Sequence, residues 1–151
     1  MNAEALGRPR DLPLAWAILL LVGALVAGCA GATSDDPPLV EVQRVRSGDI
    51  EVVVLAPTDA LKQTRNYCTL EFRTGADRHL VDVGTVSVRT AMTMDGVPMS
   101  GVSTDPTRVS TGRYTVQMVL AMAGNWQIGI DWDGPEGKGS VAFEADVVGG
   151  R

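Results

Sequence analysis

From Ile50 onward, apolar residues recur at every second position, and no segment carries the spacing of an amphipathic helix. This period constrains the fold most, because successive side chains of a strand point to opposite faces. Runs over 50–55, 67–73, 85–94, 113–122, 126–132 and 140–148 follow it. In the third run Val86, Val88, Thr90, Met92 and Met94 share one side, and Thr85, Ser87, Arg89, Ala91 and Thr93 the other. The fourth gathers Tyr114, Val116, Met118, Leu120 and Met122, and the fifth Trp126, Ile128, Ile130 and Trp132. A loop over 133–139, rich in glycine, joins the last two runs as a hairpin. Strands with one apolar face each need a second sheet to cover them. The expected fold is all-β, an immunoglobulin-like two-sheet β-sandwich, with Tyr114, Trp126, Trp132 and Phe143 in its core. A small closed barrel uses the same alternation and is the alternative.

Ahead of this domain, Arg8 and Arg10 precede an apolar run over 12–27, broken only by Pro13. A basic start, a run shorter than the roughly 20 residues that span a bilayer, and small residues at its end read as a signal peptide. Leu25, Val26, Ala27, Gly28 and Cys29 resemble a bacterial lipobox. The resemblance implies cleavage before Cys29, acylation of that cysteine and a lipid membrane as partner. Each buried CH₂ adds about 0.8 kcal/mol, so two or more chains anchor where one is marginal. An ordinary signal peptide, or an uncleaved anchor helix, is the alternative. The expected organisation is a lipoprotein signal peptide over 1–28, a lipidated cysteine and flexible linker over 29–48, and the folded domain over 49–148. The chain is then extracytoplasmic, on the periplasmic side of the inner or outer membrane or on a Gram-positive exterior, where a membrane protein is the natural partner.

Composition removes several function classes. A net charge of -5 without clustered Lys or Arg gives no surface for nucleic acid. His79 is the only histidine, in a polar stretch expected to be a solvated loop, and with Cys68 it supplies fewer ligands than zinc needs. Cys68 shares its face with Leu70 and Phe72, so burial as a small hydrophobe is expected. No Gly-x-Ser-x-Gly elbow accompanies the histidine, so the chain is expected not to be an enzyme. Asp131 and Asp133 flank Trp132 and so face away from the core, too few oxygens for Ca²⁺. The glycine-rich loop around Lys138 connects strands and does not open a helix, so it is not a phosphate loop.

Methionine is what remains. After the initiator, every methionine falls between Met92 and Met122. Met92 and Met94 lie two residues apart on one strand face, about 6.5 to 7 Å at Cα, and Met99 beyond the turn-like stretch Asp95, Gly96, Val97 and Pro98 can fold back on them. Three thioethers favour Cu(I) over Zn²⁺ or Mg²⁺. The competing reading is packing: Met92 and Met94 continue the phase of Val86 and Val88, so a strand simply extended buries them, and gathering the trio on one ion means breaking that alternation. Met118 and Met122 likewise follow the core phase of Tyr114 and Val116.

The strand beginning at Gly48 and Asp49, the second ending in Phe72 and Arg73, and the methionine segment 92–99 occur in a recognisable order with two further motifs. These are Gly112 with Tyr114, and Met122 with Gly124 and Trp126. The order resembles the YtkA-like domain, which is grouped with FixH-like proteins. The resemblance implies an immunoglobulin-like sandwich outside the cytoplasmic membrane, with ties to metal and respiratory-oxidase contexts and without a catalytic residue. Two features depart from the pattern: Asn66 on the approach to the second strand with Cys68 within it, where a glycine-rich approach and an apolar residue are expected, and a methionine segment without histidine.

Overall fold

The alternation becomes ten strands and no helix in the computed structural model, which describes residues 37–150. They are β1 Val40–Ser47, β2 Ile50–Ala56, β3 Thr64–Thr74, β4 Thr85–Met94, β5 Val97–Ser100, β6 Val102–Ser103, β7 Thr107–Ser110, β8 Arg113–Leu120, β9 Gly124–Gly134 and β10 Gly137–Val147. One sheet runs β1-β2-β3-β8, with β6 and β7 both paired to the free edge of β8. The other runs β10-β9-β4-β5. Every pairing between strands is antiparallel. The architecture is therefore the all-β, immunoglobulin-like two-sheet sandwich, not the closed barrel.

The core lies where the inner faces meet. Val52, Val54, Leu70, Phe72, Tyr114, Val116 and Leu120 come from the first sheet, and Val86, Val88, Trp126, Ile128, Ile130 and Trp132 from the second. Phe72 ties the two layers together, its ring centroid 5.5 Å from both Tyr114 and Trp132 in edge-on contacts. Burying each such ring contributes on the order of 2 to 3 kcal/mol, so these aromatics are explained by packing alone.

Two family-like motifs also prove structural. Gly112 adopts φ +65, and a Cβ there would lie 2.6 Å from the Val81 carbonyl oxygen, so only glycine makes this turn into β8. Two residues on, the Tyr114 hydroxyl donates to the Gly84 carbonyl at 2.8 Å. The Trp126 indole Nε1 likewise donates to the Met122 carbonyl at 3.0 Å. Each ring is buried while its polar tip is satisfied by a loop carbonyl, which also fixes the loop.

The domain begins earlier than the sequence suggests. Residues 40–47, expected within a flexible linker reaching to residue 48, form β1 and pair with β2 along its length. A register shift between Glu41 and Gln43 breaks the alternation of Val40, Val42 and Val45, which is why the period was hidden. The strand expected over 113–122 stops at Leu120, because the chain leaves the first sheet there and crosses to the second. Strands β5, β6 and β7 are too short to show a period. Cys29 and the expected signal peptide lie outside the described residues.

Candidate metal centre

β4 and β5 form a hairpin closed by Asp95 and Gly96, with φ of 51° and 79°. Positive φ at both central residues is what a tight two-residue hairpin demands, and an Asp-Gly pair supplies it. The register then follows: Met92 stands opposite Met99, and Met94 opposite Val97. Directly opposed residues share a face with Cβ atoms about 4.5 to 5.5 Å apart. Met92, Met94 and Met99 therefore all project from the core-facing side of one hairpin with the strand alternation intact. The break of alternation expected from the sequence is not needed.

Their environments are graded. Met92 is 8% exposed, Met99 is half-buried against the core, and Met94 is 42% exposed. Extension of the strand was expected to bury Met94 with Met92. It does not, because pairing of β4 with β9 ends at Ala91 opposite Gln127, and β4 runs past the edge of the covered region. The trio thus leads from core to solvent at one end of the sandwich.

Other elements close that end. Continuing the β4–β9 register by one residue sets fully buried Trp126 opposite Met92. The chain leaving β5 crosses between the sheets at Gly101, whose amide donates to the Thr90 carbonyl at 3.1 Å. A Cβ at Gly101 would lie 2.4 Å from Thr90 Oγ1 and 3.0 Å from the Trp126 ring. Thr90 Oγ1, between them, is the buried side-chain polar atom without a hydrogen-bond partner among the described residues.

The remaining sequence candidates fall elsewhere. His79 is exposed, in the connection that leads into the start of β4. The ten residues of β4, about 30 Å of strand, separate that start from the methionine end. Cys68 is a free thiol in the core, its pKa pushed up to about 12 by burial, so it is neither a nucleophile nor a thiolate ligand. Asp131 pairs with Arg89 and Asp133 with Lys138, each at 2.7 Å. Among the described residues no three His, Cys, Asp or Glu side chains gather as a metal site. A donor set made of thioethers alone fits a soft monovalent cation and no hard one.

Two polar residues carry more than their positions in the sequence imply. Asn66 accepts from the Lys62 amide at 2.8 Å and donates to the Lys62 and Thr64 carbonyls, holding the approach to β3. Glu71 alternates onto the outer face of the sheet, yet it is 2% exposed. Arg73 and Arg113 both donate to it, one at each oxygen. Burial pushes its carboxyl pKa up, but the hydrogen bonds and charges of the two guanidinium groups outweigh that, and the net shift is down. The only signal in the sequence was the pair of arginines, one of them inside the Gly112–Tyr114 motif.

The sequence model of the YtkA-like family matches residues 44–131. The chain belongs to the YtkA-like family. The match takes in β4, β5 and β8, and so the methionine hairpin of this YtkA-like domain, along with both aromatic motifs. No curated protein matches the chain. Among solved structures, FetP of uropathogenic Escherichia coli strain F11 is 14% identical, covering 74% of this chain and 96% of its own at a TM-score of 0.49. A copper-bound variant of FetP from the same strain is 12% identical over 73% and 97%, with a TM-score of 0.49. A DUF4426 family protein of Pseudomonas aeruginosa PAO1 is 12% identical over 72% and 99%, again at 0.49. At such identities ligand sets diverge freely, so no property of these proteins is carried over to the YtkA-like chain.

Proposed function

We propose that this YtkA-like domain is a non-enzymatic, extracytoplasmic accessory module that takes up Cu(I) on the thioethers of Met92, Met94 and Met99 and serves copper handling or the assembly of a membrane complex. The observation that carries the reading is the hairpin register, which aligns three methionines on one face from buried Met92 to exposed Met94. Soft, neutral ligands bind Cu(I) without requiring a proton to leave, and a partly exposed thioether gives an incoming cation its first contact. The respiratory setting implied by the FixH-like grouping belongs to the same proposal.

Chain direction supports a partner in the membrane. β1 is antiparallel to β2, and the alternation of direction through β3 and β8 places the start of β1 on the methionine side of the sandwich. Eleven residues run from Cys29 to Val40, a reach of at most about 40 Å. With Cys29 acylated, the start of β1 stays within that distance of the bilayer.

A second reading without metal rests on the same hairpin, where Val97 is 60% exposed beside Met94 and offers an apolar tip to a protein partner. Competition for Cu(I) against a chromophoric chelator separates the two. The full chain is expected to withdraw Cu(I) from the chelator, and a Met92→Leu, Met94→Leu, Met99→Leu variant to lose that capacity while keeping its fold. A wild-type chain that takes no Cu(I), or a triple variant that binds as well as wild type, removes the copper reading.

A further inference from the structure

We infer that Met122 supplies a fourth thioether to the hairpin trio, so that Cu(I) clamps the two sheets together at this end of the sandwich. The inference rests on the copper reading above and extends it to a residue from the connection between the layers. Met122 follows β8 of the first sheet in the core phase of Met118 and Leu120, whereas Met92, Met94 and Met99 belong to the second sheet. Unlike fully buried Met118, it is half-buried, packed against the core from the connection into β9.

Two hydrogen bonds hold that connection in place. The Trp126 indole donates to the Met122 carbonyl at 3.0 Å, and the Gln63 side chain donates to the Ala121 carbonyl at 3.0 Å. Two residues after Met122, Gly124 lies against the Met92 methyl group: a Cβ there would be 3.4 Å from Met92 Cε. Gly124 opens β9, so the Met92 thioether reaches the point where the connection that carries Met122 joins the second sheet. The long, unbranched side chain of methionine lets both sulfurs turn to one ion while the backbone stays fixed. A ligand that bridges layers binds only the folded state and stabilises it in proportion to its affinity.

Full-length protein labelled at the methionine methyl carbons tests this by nuclear magnetic resonance during titration with Cu(I). The Met122 methyl resonance is expected to shift together with those of Met92, Met94 and Met99, while that of Met118 stays in place. In the chelator competition, Met122→Leu is expected to weaken Cu(I) binding at least about tenfold, equivalent to about 1.4 kcal/mol. Met118→Leu is expected to leave it unchanged. If wild type binds Cu(I) through the trio but the Met122 resonance is unmoved and Met122→Leu binds as wild type, the clamp is overturned and the three-thioether site stands. If wild type takes up no Cu(I), both fall together.

Discussion

Glu71 shows how far a single residue can depart from its sequence position. The strand register lays Arg44, Val53, Glu71 and Arg113 side by side across the outer face of the first sheet, and the arginines cover what lies between them. A carboxylate there is held by charge-assisted bonds, and its folded pKa lies below the unfolded value near 4.5. The unfolded chain therefore binds the proton first. The contribution of Glu71 to stability is complete above the unfolded pKa and is lost as pH falls through the folded one. Glu71→Gln would turn one accepting oxygen into a donor facing a guanidinium, at a cost of roughly 1 to 3 kcal/mol at neutral pH. Urea unfolding of both proteins is expected to show this gap narrowing as the pH is taken from about 5 to about 3. A gap that is absent at pH 7, or constant with pH, contradicts the assignment. Alternation alone could not reveal the burial, because it reports which face a side chain takes and not what covers that face.

At the scale of elements, the long strands were legible because each has one buried face, and β2, β3, β4, β8, β9 and β10 each overlap the run the period marked, with ends shifted by up to three residues, so that the loop expected over 133–139 shrinks to Pro135 and Glu136. β1 was not, since its bulge shifts Val45 out of phase with Val40 and Val42. The turn at Asp95 and Gly96 was legible as a turn, but its length was not. A two-residue connection fixes Met99 opposite Met92, whereas one residue more or fewer would point Met99 to the other face. The candidate site depended on that register, so the sequence could name its residues without showing that they share one face of a hairpin. The aromatic motifs went the opposite way. Tyr114 and Trp126 are conspicuous in the sequence, and the fold uses both as core residues that pin loops through a carbonyl.

For the whole molecule, the proposed function joins two features: Cys29, which when acylated would hold the domain to a bilayer, and a thioether end on the side where β1 begins. Mass spectrometry of the mature protein is expected to find acyl groups on an N-terminal Cys29, and Cys29→Ala to move the protein to the soluble fraction. An unmodified Cys29, or a variant that stays in the membrane, would argue instead for an uncleaved helix as anchor. The copper reading turns on the nature of the ligands. His79 sits in the connection that precedes β4, Cys68 is a protonated core thiol, and Asp131 and Asp133 of β9 are paired with Arg89 and Lys138. X-ray absorption at the copper edge, on the full chain loaded with one equivalent of Cu(I), reads that shell directly. Scattering from thioether sulfur alone is expected, without nitrogen or oxygen neighbours. A shell containing histidine nitrogen or carboxylate oxygen, or copper that washes out of the wild-type protein, would contradict it.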